Sequence, residues 1–173
     1  MVSVAFFRNM NLGHAQSPDR ASLEQAFVDA GASGVRAFQT NGTVLFTAAD
    51  PSLVAARARD GLRPCGYDDA VFVRDRARLT QIIDQFPDLP PESDHYREMV
   101  VLFDHPDAHA CASLPREREG LLQVLRVEHD HALGLIWKPK STAGNITGHL
   151  EHRLETVATS RTLGTVQRLL THL

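Results

Sequence analysis

The order of strand and helix signals in the first 75 residues constrains the fold of this chain more than any other feature. Short runs of β-branched and aromatic residues begin at Val2, Val35, Thr43 and Ala70, and each is too short for a helix. Helical patterns separate the first run from the second and the third from the fourth, and the turn residues TNG separate the second from the third. The order β-α-β-β-α-β predicts a ferredoxin-like, four-stranded antiparallel sheet with two helices on one face.

Both helices of this arrangement carry start and stop residues. Ser17 or Asp19 is a suitable N-cap for the first helix, which is expected to end at Gly31. The second is expected to run from an N-cap at Asp50 to Gly61, with proline at its first helical position. These signals agree with the strand pattern around them, so they strengthen the predicted order.

The rest of the chain is predicted to form a second, smaller α+β subdomain on which the first one packs. An amphipathic helix follows the fourth strand, and residues 87–95 contain three prolines in five consecutive positions, which is typical of a linker. We therefore expect a ferredoxin-like subdomain with its following helix at 1–86, a linker at 87–95, and an α+β subdomain with a C-terminal helix at 96–173. Several strand orders of the second subdomain are compatible with its pattern.

Composition and charge favour a globular protein of the cytoplasm. The chain has 173 residues, 43% hydrophobic and 23% charged, and a formal net charge of -3, so no overall basic field attracts polyanions. Cys65 and Cys111 lack CxxC spacing and are expected to be reduced, partly buried thiols, although one bridge between them is the alternative. No secretory signal pattern and no membrane-spanning apolar run is present, so we expect no membrane association.

Three short blocks in the chain resemble motifs of the bacterial domain-of-unknown-function 1697 family. Members of that family end their first strand with a pattern like Arg-Gly-Ile-Asn-Val-Gly-Gly, carry Ser-Gly-Asn-Val-Val-Phe in their first hairpin, and carry Thr-Ala-Arg-Asn-Trp-Asn-Thr-Val near the C-terminus. The matching blocks here are Arg8-Asn9-Met10-Asn11-Leu12-Gly13-His14, Asn41-Gly42-Thr43-Val44-Leu45-Phe46, and Thr159-Ser160-Arg161-Thr162-Leu163-Gly164-Thr165-Val166. The resemblance implies two packed α+β subdomains and no established activity.

The departures from these motifs bear on binding. Asn9 and His14 stand where the family pattern has glycine, and Leu163 stands where it has tryptophan. Many relatives place lysines between the first strand and the first helix, whereas this chain has AQSPD there. If the family binds an anion through those lysines, this chain is expected to bind it more weakly or to bind something else.

The polar residues of the three blocks form a candidate ligand site. A loop ahead of a helix N-terminus presents backbone N–H groups to an anion, a glycine lets the backbone approach closely, and an arginine offers a fork for phosphate or carboxylate. We expect these residues to line one polar cleft between the subdomains for a small anionic or nucleotide-like ligand. The expected ligand-binding residues are Arg8, Asn9, Asn11, Gly13, Asn41, Thr43, Arg161 and Thr165. The alternative is that they hold turns and the subdomain junction by internal hydrogen bonds.

Two other functional classes stay open. Association with nucleic acid would use Trp137, Lys138, Lys140 and nearby arginines, although a strand-end tryptophan that shields the edge of a core is the simpler interpretation. An enzyme would use the same cleft, with Arg8 and Arg161 as electrostatic stabilisers and His14 as acid or base. No phosphate-loop or nucleophile-elbow motif is present, and no cofactor is predicted. We expect a monomer or a homodimer.

The nine histidines suggest no metal site. None of the His-containing segments has the spacing of a helical zinc pair or of paired zinc knuckles. His129 and His131 have spacing that suits one face of a strand, but we place both in a hairpin turn and expect them to be exposed to water.

Overall fold

The computed structural model describes residues 2–90 and 92–173 and has an α+β fold, as predicted. Two residues of the expected subdomain plan, Met1 and the linker residue Pro91, lie outside the described residues. The chain divides into two compact units, one that ends at Leu79 and includes Leu173, and one that runs over Thr80–His172. The linker at 87–95 stays a prediction.

The first unit contains the predicted β-α-β-β-α-β order. Its elements are β1 (Val2–Phe7), α1 (Arg20–Asp29), β2 (Ser33–Phe38), β3 (Thr43–Thr47), α2 (Pro51–Gly61) and β4 (Val71–Asp75), with a 3₁₀ turn at Arg63–Cys65. The strands pair in the order β2-β3-β1-β4, and every pair is antiparallel. Each of α1 and α2 therefore connects two strands that have a third strand between them.

Carboxylate caps begin both helices of this unit. Asp19 accepts a hydrogen bond from the Ser22 backbone N–H at 2.7 Å, and Asp50 accepts one from the Leu53 N–H at 3.0 Å. Asp19 rather than Ser17 is thus the N-cap of α1. Each cap satisfies an N–H that has no partner inside the helix.

Aromatic side chains form the centre of the first core. The ring centroid of Phe27 lies 5.9 Å from that of Phe7 and 4.8 Å from that of Phe46, and Tyr67 lies 5.5 Å from Phe7. All four side chains are buried. Burying an aromatic or large aliphatic side chain contributes about 1.5–3 kcal/mol, so this cluster stabilises the C-terminal end of β1, where Phe7 lies.

The second unit contains a five-stranded antiparallel sheet. The division between the units falls within α3 (Arg76–Asp84). The elements that follow α3 are β5 (Arg97–Leu102), α4 (Ala108–Ala112), β6 (Arg118–Glu119), β7 (Leu122–Val127), β8 (His131–Ile136), α5 (Ile146–Leu154), β9 (Thr159–Thr162) and α6 (Leu163–Leu170). The strand order is β6-β7-β8-β5-β9. The predicted β7–β8 hairpin and C-terminal helix are present, whereas the sequence pattern did not predict β9. Buried residues of α5 and α6, such as Leu150 and Val166, pack on the sheet.

Both cysteines are free, and their environments differ. Cys65 is exposed, whereas Cys111 is buried, so the expectation of two partly buried thiols is wrong for Cys65. Burial raises the pKa of the Cys111 thiol above its ordinary value. Over the described ranges, no helix combines the length and the apolar composition that a membrane crossing requires.

Candidate functional site

The loop after β1 is tied to the segment that leads into β4. Arg8 donates from Nη1 to Asp69 Oδ2 at 2.8 Å, and Asn9 donates from its side-chain amide to the same oxygen at 3.0 Å. The Tyr67 hydroxyl donates to the Arg8 carbonyl at 2.7 Å, and the Arg8 N–H donates to the Ala70 carbonyl at 2.9 Å. The guanidinium that was expected to bind a ligand is therefore paired with a carboxylate of its own unit.

The same loop contacts the β2–β3 turn, so the structure brings the first two sequence blocks together. Phe7 N–H donates to the Gly42 carbonyl at 2.8 Å, and Leu12 N–H donates to the Thr40 carbonyl at 2.8 Å. Within the turn, the buried Thr43 hydroxyl donates to the Asn41 side-chain oxygen at 2.9 Å. These bonds fix the turn and the loop against each other.

Internal hydrogen bonds also engage the middle of the loop. The Asn11 N–H donates to the Ser17 hydroxyl at 3.2 Å, and the Gly13 N–H donates to the Pro18 carbonyl at 3.0 Å. His14, the expected acid or base of the enzyme hypothesis, is exposed and donates its backbone N–H to the Asn11 carbonyl at 3.1 Å.

Backbone conformation explains one departure from the family pattern. Asn9 has φ of 52° and Gly13 has φ of 80°, both in the left-handed region. Glycine adopts this region without strain, and asparagine tolerates it better than most residues. Asn9 can therefore occupy a position where the family pattern has glycine while adding a side-chain bond to Asp69.

The electrostatics of this region oppose a second anion. Asp19 already occupies the N-terminus of α1, and its hydrogen bonds from Ser22 hold the pKa of its carboxyl below the usual value. A cavity of about 290 Å³ beside Asn9 is lined by Asp68 and Asp69 among other residues. Its carboxylates favour a neutral or cationic occupant over an anion.

Arg161 and Thr165 lie in the second unit. Arg161 is a buried residue of β9 that donates to the Thr159 hydroxyl at 3.0 Å and to the Ser160 carbonyl at 2.7 Å. The Thr165 hydroxyl lies 2.9 Å from that of Thr162, which caps α6. Because Arg8 belongs to the first unit, the convergence of the two arginines stays a prediction.

A cation–aromatic cavity lies in the second unit, around the residue that follows β8. Trp137 is 7% exposed, and its indole Nε1 donates to Asp94 Oδ1 at 2.7 Å. The guanidinium carbon of Arg118, in β6, lies 3.9 Å from the centroid of the Trp137 ring. Because the indole is buried, with Arg118 over its ring and Asp94 bound to its Nε1, Trp137 is not an exposed stacking surface.

Tyr96 supplies the exposed aromatic ring of this cavity. Its side chain is 44% exposed, Arg97 donates to its hydroxyl at 3.0 Å, and the Lys138 ammonium lies 5.3 Å from its ring centroid. The hydrogen bond from Arg97, followed by the positive charges of Arg97 and Lys138, lowers the pKa of the Tyr96 phenol. The electrostatic potential at this ring is thus positive.

The cavity itself has a volume of about 330 Å³. Its lining consists of Asp94, His95, Tyr96, Arg118, Trp137, Lys138 and Pro139. Within residues 2–90 and 92–173, neither Arg118 nor Lys138 has a carboxylate within ion-pair distance. The Asp94 carboxylate lines the same cavity, and its pKa is lowered chiefly by the hydrogen bond from Trp137 and also by the charge of Arg118. Two cationic groups and one carboxylate therefore line this cavity, and none of the described carboxylates forms an ion pair with either cation.

Sequence reasoning found only part of this cavity. Trp137 and Lys138 were singled out for nucleic acid, but Asp94, Tyr96 and Arg118 were not. The register of β6 on β7 and of β7 on β8 brings Arg118 beside a residue that is 19 positions away in sequence. No local motif reports such a contact.

The histidines require one correction. His129 is exposed as expected, whereas His131 is the first residue of β8 and is fully buried, so its expected exposure to water was wrong. Its Nδ1 lies 2.8 Å from Asp130 Oδ1, and its Nε2 lies 3.1 Å from Gln85 Oε1. In the part of the chain that the structure describes, no group of three or more metal-ligating side chains is placed to hold an ion.

Comparison with solved structures shows a related fold. A conserved bacterial protein from Streptococcus pneumoniae has a TM-score of 0.65 with this chain at 12% sequence identity, and the match covers 98% of this chain and 97% of that one. At this identity the likeness shows a shared fold alone. None of the curated proteins compared with this chain matches it.

Family comparison gives the firmest assignment. The family described as "Protein of unknown function (DUF1697)" matches residues 1–130, which include the first two sequence blocks and end before Arg161 and Thr165. Since the match covers more than half of the 173 residues, the chain belongs to the DUF1697 family.

Proposed function

We propose that this protein binds a small anionic, nucleotide-like molecule in the cation–aromatic cavity of its second unit. The observation that carries the proposal is the pair of cationic side chains, Arg118 and Lys138, that line one cavity without a carboxylate within ion-pair distance among the described residues. Asp94 lines the same cavity but forms no ion pair with either cation, so a bound anion would be the direct ion-pair partner of both.

The two cations differ in the recognition they offer. Arg118 presents a planar fork whose orientation is set by the Trp137 ring and by a 3.0 Å bond from its Nε to the Gly120 carbonyl. That bond leaves the terminal nitrogens for bidentate contact with phosphate or carboxylate. Lys138 adds a compact charge at the same cavity.

The aromatic residues favour a nucleotide-like ligand over a simple ion. Tyr96 is 44% exposed and lines the cavity, with Arg97 4.7 Å and Lys138 5.3 Å from its ring centroid. A cavity of about 330 Å³ lies at the lower end of the range typical of small-molecule sites, about 300–1,000 Å³. A phosphate or carboxylate with an attached ring matches this combination of charge and apolar surface better than a sugar alone.

A thermal-shift screen of nucleotides, sugar phosphates and carboxylates tests the proposal. Ligand at about 100 times its Kd stabilises the folded state by about 2.7 kcal/mol, so we expect a raised melting temperature with phosphate-bearing ligands. We expect Arg118→Ala and Lys138→Ala to abolish that increase. Lys140→Ala is the matched control, because Lys140 is exposed and does not line the cavity.

The variants Arg8→Ala and Arg161→Ala separate this site from the predicted cleft. Ligand stabilisation that survives Arg118→Ala and Lys138→Ala but disappears in Arg8→Ala and Arg161→Ala would refute the proposal and support the cleft. Binding to single-stranded oligonucleotides that falls steeply with salt and needs both Lys138 and Lys140 would favour nucleic-acid association instead.

A further inference from the structure

A second cavity shares a wall with the cation–aromatic cavity. It has a volume of about 390 Å³, and Trp137 lines both cavities. The same chain segment contributes to each, since Ser93 lines the second cavity and Asp94 lines the first. The two cavities are thus neighbours along one segment and at one strand end.

The second cavity has a different chemistry from the first. Its apolar wall consists of Pro87, Leu89, Pro90, Leu125, Leu135 and Trp137. Its polar groups include the carboxylates of Asp88 and Glu92 and the side-chain amide of Gln123. Carboxylate oxygens accept hydrogen bonds and repel a phosphate, and no lysine or arginine among the described residues lines this cavity to offset them. An acidic group is therefore directed towards the first cavity, where Arg118 and Lys138 outnumber the carboxylate of Asp94.

We propose that the ligand is a nucleoside monophosphate whose base carries an exocyclic amino group. This inference rests on the proposed function, because it places the phosphate in the cation–aromatic cavity. The base lies in the second cavity, where the prolines and leucines cover its faces and the acceptors on Asp88, Glu92 or Gln123 bind its amino group.

Calorimetric titration of the full chain with AMP and with ribose 5-phosphate isolates the contribution of the base, because both ligands carry the same phosphate and pentose. Contacts between a base and apolar or aromatic side chains contribute enough binding free energy to raise the affinity about tenfold or more. We therefore expect AMP to bind at least about tenfold more tightly than ribose 5-phosphate. Equal affinities would overturn the inference and leave the proposed function intact, whereas failure of both ligands to bind would overturn both.

A filling variant tests the location of the base. Leu125 is partly exposed on β7 and lines the second cavity, so Leu125→Trp occupies the space assigned to the base. We expect this variant to bind AMP with the same affinity as ribose 5-phosphate. Its affinity for ribose 5-phosphate should equal that of the wild-type protein. Val28→Trp is the control, since Val28 is 51% exposed and lines neither cavity. Equal weakening of both ligands in Leu125→Trp would contradict the assignment.

Trp137 provides a readout that needs no substitution at the second cavity. It is the single tryptophan of the chain, so all tryptophan fluorescence of the wild-type protein reports on the wall shared by the two cavities. We expect saturating AMP to quench this fluorescence more strongly than saturating ribose 5-phosphate. Identical quenching by the two ligands would place the base elsewhere and overturn the inference.

Discussion

Arg8 directly follows β1 and Arg118 begins β6, and their surroundings give these two arginines different roles. Arg8 lies 2.8 Å from Asp69, and both side chains are about three-quarters buried, with 24% and 25% exposed. Arg118 lies 3.9 Å above an indole ring and has no carboxylate within ion-pair distance among the described residues. The comparison teaches that the partners of an arginine in the folded chain, rather than its neighbours in sequence, indicate whether it stabilises the fold or is available to bind a ligand.

The backbone extends this contrast beyond the two side chains. The Arg8 loop is bonded to the β2–β3 turn and to the approach to β4 through main-chain groups of Phe7, Arg8 and Leu12. The Arg118 cavity is instead lined by side chains near the end of β8, and the cationic groups of Arg118 and Lys138 line its open space. Variants in the first region should therefore change stability, and variants in the second should change binding.

The largest expected effect is that of Gly42→Ala in the turn beneath the Arg8 loop. Gly42 has φ of +66°, and a Cβ there would lie 2.7 Å from Met10 Cβ and 2.9 Å from Phe7 Cβ. Left-handed strain and overpacking each cost about 1–2 kcal/mol or more, so we expect a loss of about 3 kcal/mol in the free energy of unfolding. Urea denaturation measures this loss.

Gly13→Ala is the matched control for that substitution. Gly13 has φ of +80° but nothing within 4 Å of an added Cβ, so only the backbone strain of about 1 kcal/mol applies. Equal losses for the two variants would show that the loop and the turn are not packed as described.

An intermediate effect is expected for the Arg8–Asp69 pair. A double-mutant cycle of Arg8→Ala and Asp69→Ala should give a coupling free energy of about 1 kcal/mol, because the pair is partly buried and directly hydrogen-bonded. Arg118→Ala should cost about 0.5 kcal/mol, the value of a partly exposed cation–π contact.

Asp69→Ala alone should cost more than Arg8→Ala. The Asp69 carboxylate also accepts hydrogen bonds from Asn9 and from the Ala70 N–H, so its removal leaves several donors without an acceptor. Chemical denaturation of the three single variants and the double variant provides the measurement. A greater loss in Arg118→Ala than in Arg8→Ala would reverse the proposed roles of the two arginines.

The elements that the sequence predicted are those whose signals are local. Periodicity, caps and turn residues lie within single elements, and they correctly indicated the order β1 to β4 and the β7–β8 hairpin. The strand β9, Thr159–Thr162, has no apolar run of its own and exists because it pairs with β5. Arg161 was accordingly assigned to a ligand cleft, and its place as a buried strand residue could not be inferred from the motif.

The candidate cavity was harder to predict for the same reason. Arg118, Tyr96 and Trp137 come from three separate segments and meet only when the five-stranded sheet has formed. His131 shows how one position decides the outcome. Strand β8 begins at His131 itself, which pairs with Leu102. The sequence pattern instead predicts His131 in the turn before this strand.

The smallest expected effect is a change in the titration of Tyr96. Its pKa is lowered mainly by the hydrogen bond from Arg97 and then by the charges of Arg97 and Lys138, so the phenolate forms more readily than in an ordinary tyrosine. Because the folded-state pKa is depressed, ionised Tyr96 favours the folded state at alkaline pH, and this contribution is lost as the pH falls through the folded-state value. We expect Arg97→Ala to raise the pKa towards 10.0 and Lys138→Ala to raise it less.

Ultraviolet absorbance of the phenolate measures this titration, and Tyr96→Phe identifies its contribution beside that of Tyr67, the other tyrosine. A bound anion would offset the positive potential that favours the phenolate, so a ligand of the cation–aromatic cavity should also raise the Tyr96 pKa. The same ligand should leave the Arg8–Asp69 ion pair unchanged if the two regions differ as described. If the Tyr96 pKa changed neither in Arg97→Ala nor with saturating ligand, the electrostatic distinction between the Arg118 cavity and the Arg8 loop would be refuted.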